Sequence, residues 1–443
     1  MFRLNTQKIF VLMLVASFLF ITASESNARP RASMKFSIHR EENPRTSKET
    51  LILPYAFPSD SMGTSFGVGG MAKGYVQDQL LVGGTVYGSV DSAAAIFLGL
   101  WDYKLPATDR LYFSILGSAG YYPRLRAYAE APGDDITGIR AGANNSNKDD
   151  YVEESGTDNW WEMKLEFVLP IGSMKDKGMA SYNLKHGMLV SGATGGENWN
   201  PLENGGTVVV LRQSNRYQEF EMDDGNINGA VHPLELGLLY NNTDYPSNPS
   251  TGSSQYLSVN HDFGWLESDH TWTFLEFEAS KYFSMGETDL ARQQVIAVNF
   301  WTGYSPSWES TVDSNGVETI ENRPPYLEGA KLGGFYRMRA YSNNRFNGSS
   351  VIYTTAEYRF TPRWNPIGDV NWLRWLKMDW MQFVGSIEGG RVADEYSVSE
   401  LLSDWKVDGG VGLRAMVAGS VVRLDYSVSE EGSSMWVMFG HPF

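Results

Sequence analysis

Thr271-Trp-Thr-Phe-Leu-Glu-Phe-Glu-Ala-Ser-Lys-Tyr282 is the stretch on which the fold turns. Trp272, Phe274 and Ala279 stand among Thr271, Thr273, Glu276, Glu278 and Ser280, so polar and apolar residues are interspersed along its length. Gln293 to Tyr304 and Val351 to Phe360 read the same way. Each has the length of about 10 residues that a tilted strand needs to cross a bilayer. Such segments recur from near residue 50 to the C-terminus. The expected strands are 51–57, 63–73, 79–90, 92–104, 109–122, 157–170, 180–190, 232–243, 253–263, 271–283, 291–304, 349–360, 376–390, 405–416, 420–428 and 434–441. Sixteen is an even number, as a closed single-chain barrel generally has. The fold class is therefore all-β, a transmembrane antiparallel β-barrel.

The intervals between strands support this reading. The three longest, 123–156, 191–231 and 305–348, follow expected strands five, seven and eleven, all odd, and so lie on one side of the membrane. Intervals after even strands are mostly short, such as 171–179, 244–252 and 417–419, with 361–375 and its Trp364, Trp372 and Trp375 as the exception. Long loops outside and short turns inside are how such barrels are built. The long loops are rich in Asn, Asp, Gly and Ser, as solvated surface is. Asp223, Asp224 and Asn226 could begin a Ca²⁺ site, but the remaining ligands of an EF-type loop are missing. No metal or cofactor is expected.

Composition agrees. The 443 residues include 14 Trp, 23 Tyr, 22 Phe and 45 Gly, yet mean hydropathy is slightly negative. A barrel produces this mixture, because apolar lipid-facing residues alternate with polar lumen residues and aromatics gather at both interfaces. Arg3 and Lys8 precede an apolar run from Ile9 to Ile21, followed by small residues at Ser26-Asn27-Ala28. That is the pattern of a secretory signal peptide over 1–28, too short to span a membrane as a helix. Export implies a cell outer membrane of a Gram-negative bacterium, where outer-membrane lipid and lipopolysaccharide surround the wall. Residues 29–50, basic and Pro-containing, are too few to bury a core and read as a periplasmic tether before a barrel at 51–443. With no cysteine there are no disulfides and no lipobox. A net charge of -16 argues against nucleic acid, whose phosphates would be repelled.

The strongest local signal is Leu332-Gly-Gly-Phe-Tyr-Arg-Met-Arg-Ala-Tyr341, in the last long outer loop. It resembles the loop signature of the BamA/TamA outer-membrane assembly superfamily: two glycines, four residues, then Arg-Gly-aromatic. Gly333, Gly334, Arg339 and Tyr341 match, while Ala340 stands where the family has glycine. Phe383-Val-Gly-Ser-Ile-Glu-Gly-Gly-Arg-Val392 is similar to the family's inner-strand motif, with Glu388 in the acid position, where aspartate is usual, and Gly390 two residues on. Gly410 to Arg414, Val421 to Tyr426 and the terminal Met438 to Phe443 are similar to its last three strands. Phe443 is the C-terminal aromatic that such proteins present to the barrel assembly machinery for their own insertion. The resemblance is close over 330–443.

It implies that the loop folds into the lumen as a plug and that Arg339 pairs with Glu388. A guanidinium offers a carboxylate two parallel donors, and burial strengthens the pair. In a wet lumen, removing one partner is expected to cost ~1–2 kcal/mol, and a charge swap to recover part of that. The resemblance also implies a role in membrane-protein insertion or polypeptide translocation through a seam between first and last strands. The family's periplasmic POTRA modules have no room in 29–50, so a separate periplasmic partner would supply them. The alternatives are a plugged passive channel, a surface receptor, or an outer-membrane hydrolase. Against the hydrolase, His39, His186, His232, His261, His270 and His441 sit in no Gly-x-Ser-x-Gly or His-Glu-x-x-His context. His261-Asp262 and Asp269-His270 flank a short outer loop and are read as solvated polar residues, so no enzyme is expected.

Overall fold

Sixteen strands join in chain order into one antiparallel sheet. They are β1 (Glu49–Ser59), β2 (Gly63–Lys73), β3 (Leu81–Ser89), β4 (Ala94–Lys104), β5 (Leu111–Ala127), β6 (Val152–Val168), β7 (Gly206–Phe220) and β8 (Leu234–Asn241). The second half comprises β9 (Gly252–Phe263), β10 (Thr271–Ser284), β11 (Ala291–Tyr304), β12 (Ser350–Pro362), β13 (Met378–Ala393), β14 (Lys406–Val417), β15 (Ser420–Ser429) and β16 (Ser433–Phe439). This computed structural model describes residues 32–41, 48–59, 61–131, 134–196, 198–222, 230–268, 270–365, 378–417 and 419–443. The signal-peptide stretch 1–28, the Ca²⁺ candidates Asp223, Asp224 and Asn226, Asp269, Trp372 and Trp375 lie outside them.

The wall is inside-out relative to a soluble protein. On β9, Leu257 and Phe263 are exposed while Ser258, Asn260 and Asp262 are buried. Ile52 is 63% exposed, Leu98 60% and Ile387 64%, whereas Glu357 and Arg414 are buried. Apolar residues facing out in a continuous belt, with charges packed within, fit a hydrocarbon surrounding. Along Thr271 to Tyr282, Trp272, Phe274 and Glu276 face the lumen, and Leu275 and Phe277 face out.

The sheet curls until its two edges meet. Leu51 and Tyr55 of β1 share an apolar cluster with Val422 of β15 and Val437 of β16, and the Ser420 hydroxyl reaches Met71 Sδ of β2 at 3.6 Å. Among the described residues, though, no backbone ladder joins β1 to β16. The barrel has a seam there.

One expected strand is corrected. Residues 180–190 are not in the wall; Ala180–Lys185 and Met188–Ser191 form a hairpin of their own, turned by His186 and Gly187 at positive φ. The seventh wall strand is β7, which lay in an interval expected to be loop. Alternation misled for a physical reason. Val208 and Val210 of β7 face an apolar lumen filling, and Val209 and Leu211 face outward, so the polar-in pattern is absent there. The correction also moves 169–205 to follow an even strand, placing that long connection at the inner end.

The filling at the inner end comes from the stretch expected to be a tether. Phe36–Arg40 runs parallel to Ala180–Lys185 over five paired residues. Met34, Tyr182, Leu184 and Tyr245 then pack against Val208, Trp380 and Met416 of the surrounding wall. At the outer end, Glu309–Val312 and Val317–Glu321 form an exposed hairpin that pairs with Ile136–Thr137.

Candidate functional site

Residues 323–349, between β11 and β12, fold back into the lumen. Ala330–Leu332 pairs antiparallel with Phe346–Gly348, and the turn between them carries the motif. Gly333 and Gly334 have φ of 109° and 105°. A Cβ on Gly333 would collide with the Ser342 carbonyl, so glycine is required on both counts. Ala340, where the resembled signature has glycine, is absent from the residues with positive φ, so its methyl group is tolerated without strain.

Arg339 is 1% exposed and sits within the wall's charges. Its Nε donates to Glu388 Oε1 at 2.9 Å and its backbone N–H to Glu388 Oε2 at 2.7 Å. One terminal nitrogen lies 3.1 Å from both Glu357 Oε1 and Asp425 Oδ2. Burial alone would weaken the charge of Arg339, but Glu388, then Asp425 and Glu357, hold its pKa well above the ordinary arginine value. Tyr353 donates to Glu388 Oε1 at 2.9 Å, Trp436 Nε1 donates to the Arg339 carbonyl at 2.8 Å, and the Ala340 N–H donates to Asp408 Oδ2 at 3.1 Å. Arg423 caps the Phe335 carbonyl at 2.6 Å and pairs with Asp425. Arg414 clasps Glu357 with two donors at 2.6 and 2.9 Å. Four arginines (339, 359, 414, 423) thus face four acids (357, 388, 408, 425), all buried. Such a balanced, interlocked cluster tolerates burial where a lone pair would not.

The other motif residues meet at the same place. Tyr341 donates to the Val407 carbonyl at 3.1 Å. Gly390 lies against the plug: a Cβ there would be 2.8 Å from the Ile352 carbonyl and 2.9 Å from Leu332 Cδ1. Arg337 stacks 3.5 Å over the Trp301 ring and pairs with Glu278 at 3.0 Å, adding a second wall contact. The expected wet setting for Arg339 and Glu388 is replaced by a dry one, because the plug excludes solvent from its own anchor.

Phe443 has turned inward. After Gly440, at φ 78°, the last residues leave the wall. His441 Nδ1 lies 2.7 Å from Arg414, and the Phe443 ring stacks on Tyr282 beneath the Arg359 guanidinium. Elsewhere, His261 Nδ1 is 2.8 Å from the Thr273 hydroxyl, and the His232 backbone N–H donates to Asp262 at 2.8 Å. Among the described residues no group of three potential ligands converges on a metal position.

Sequence reading did not find Glu357, Asp408, Asp425 or Arg423. The available signal was charge at lumen-facing parity on β12, β14 and β15. It also did not find the inner anchor, where Lys35 is 2.5 Å from Asp102 and 2.7 Å from Glu166 with its side chain fully enclosed.

No family model matches this chain, and no curated protein does. Among solved structures it is similar to CdiB from Acinetobacter baumannii, at 12% identity and a TM-score of 0.47 over 88% of this chain and 58% of the other. It is likewise similar to CdiB from Escherichia coli, at 10% identity and 0.49, over 88% and 61%. The chain therefore spans less than two thirds of the length of the structures it matches.

Proposed function

We propose that the protein is an outer-membrane β-barrel of the BamA/TamA assembly superfamily that admits a client polypeptide strand at the seam between β1 and β16. The observation that carries this reading is the unpaired seam itself. In hydrocarbon each unsatisfied backbone group costs several kcal/mol, so an unzipped edge at membrane depth favours any strand that can pair with it. The two edges are unequal to the task of pairing each other. β16 has seven residues against eleven in β1, and β1 contains Pro54 and Pro58. Four residues apart, both prolines withhold their missing N–H from the same side. Since the ladder from β1 to β2 is unbroken, that side is the seam. The reading assigns no catalysis, metal or cofactor. Insertion of the barrel itself would rely on the assembly machinery, and client delivery on a periplasmic partner.

The chain has no cysteine, so engineered thiols report cleanly. Photo-crosslinkers at Ile52 and Met435, both exposed beside the seam, are expected to capture outer-membrane or exported polypeptides in living cells. Crosslinkers at Leu238 and Leu257 on the far wall are the control. A disulfide between cysteines scanned along 50–56 and 434–438 is expected to abolish the adducts, and reductant to restore them. Equal adducts on both walls, or indifference to the lock, would overturn the reading.

A further inference from the structure

At the outer mouth, the loop after β5, the start of β10 and the plug segment 323–326 enclose a cavity of about 160 Å³. Its lining contains two arginines from different loops, Arg140 and Arg323, with Glu130 as the one acid among the described lining residues. Arg140 is a fixed part of the wall. It donates to Asn347 Oδ1 at 2.5 Å and to the Asn347 carbonyl at 2.7 Å, and pairs with Asp394 at 3.2 Å. Its Nε nevertheless has no partner although buried, and neither does the indole N–H of Trp272, also on the lining. Arg323 makes no hydrogen bond or ion pair among the described residues. Burial, then the neighbouring Arg140 charge, pull its pKa below the ordinary arginine value.

Buried donors without acceptors are rare and unfavourable, and they call for an explanation. All three residues line the same cavity, so an acceptor group held there lies among them. Ser268, His270 and Asn347 add polar edges to the lining, and Tyr128, Pro324 and Tyr326 give it an apolar and aromatic side. A cavity of about 150 Å³ takes a benzene ring, so this one has room for a ring-sized body. The single charge of a carboxylate matches one uncompensated guanidinium and accepts its fork of donors. A doubly charged phosphate would instead meet the Glu130 carboxylate, whose Oε1 is fixed by the Ala141 N–H at 2.8 Å and whose Oε2 is unpartnered.

We propose that this cavity binds a small organic carboxylate, its charged end on Arg323, Arg140 Nε and Trp272 Nε1 and its ring-sized apolar body against Tyr128, Pro324 and Tyr326. The site faces the outside of the barrel and does not depend on what the seam does.

The test is calorimetric titration of the refolded full chain in detergent with benzoate, inorganic phosphate and benzyl alcohol. Folding of every variant is checked by its faster gel mobility before boiling. Benzoate is expected to bind saturably at one site. Arg323→Gln, at a largely buried but not core position, is expected to weaken it at least tenfold, with Arg323→Lys retaining part and Trp272→Phe weakening it several-fold. Arg363→Gln, at the inner end in a pair with Glu287, is expected to change nothing. Benzyl alcohol, with the ring but no charge, is expected not to saturate. Equal benzoate affinity in folded Arg323→Gln overturns the site, as does no saturable binding to the wild type. Phosphate binding as tightly as benzoate overturns the carboxylate assignment.

Discussion

The lumen is closed twice, by two devices built on different principles. The outer plug, 323–349, is held by charge. Arg339 enters a cluster of buried acids and arginines, where its Nε and one terminal nitrogen meet Glu388, Glu357 and Asp425. The inner stopper, made of 32–41 and the 180–191 hairpin, is held by a short parallel ladder and an apolar cluster, with Lys35 and Arg40 as ionic pins. A charge anchor is directional and sensitive to single atoms, whereas apolar packing spreads its stabilisation over many contacts. The outer device should therefore fail abruptly on one substitution and the inner one gradually.

The largest effect is expected from Arg339→Ala, which leaves three carboxylates facing an empty place. Breaking one side of a fully buried pair costs ~3–5 kcal/mol, above the ~1–2 kcal/mol that a wet lumen would suggest. Protease access to 323–348 and single-channel conductance should both rise. The charge swap Arg339→Glu with Glu388→Arg should recover little, since a glutamate at 339 would confront Glu357 and Asp425. Substantial recovery would mean that the pair acts alone and the cluster is incidental.

Next comes Lys35→Ala, expected to cost about 2–3 kcal/mol, as for hydrogen bonds to charged groups, and to speed hydrogen exchange over 36–40 and 180–185 without touching the outer plug. Burial opposes the Lys35 charge, yet Asp102 and Glu166 raise its pKa above the ordinary value. A raised pKa means its contribution is complete below about pH 10 and lost only as pH climbs through the folded value. Protection of the stopper amides, corrected for the intrinsic base catalysis of exchange, should thus be flat from neutrality to mild alkali and fall beyond. An earlier fall would show that Lys35 is not its pin.

Gly390→Ala should cost roughly 1–3 kcal/mol by overpacking against Leu332 and the Ile352 carbonyl, read as modest protease sensitivity of the plug alone. The smallest effect is expected from Ala340→Gly, which introduces the glycine of the signature that the loop resembles. At a position with ordinary φ it should destabilise by about 0.5–1 kcal/mol through added chain freedom. Stabilisation instead would show that the turn is strained by the methyl group.

The same contrast explains what the sequence disclosed. The plug was legible because its anchor needs particular residues at particular spacings: Gly333 and Gly334 for a turn no side chain can follow, Arg339 for its fork, Gly390 for clearance. The wall was legible wherever the lumen is polar, as along β9 and β10. Both readings failed at the inner end, where the stopper makes lumen and lipid faces alike apolar. Val208 to Leu211 then loses its alternation, while the short Ala180 to Leu184 stretch imitates a wall strand by packing one face on the stopper's core. Long-range ion pairs such as Lys35 with Glu166 carry no local spacing at all.

The parallel ladder of Phe36–Arg40 on Ala180–Lys185 has a consequence for the order of assembly. The two segments lie roughly 140 positions apart, and closing so distant a contact is slow. Lys35, moreover, needs Asp102 on β4 and Glu166 on β6 to be in place before its charge is matched. The first described segment is thus among the last to be seated. Until six strands stand side by side, it remains a loose leader threaded through an open, half-built ring.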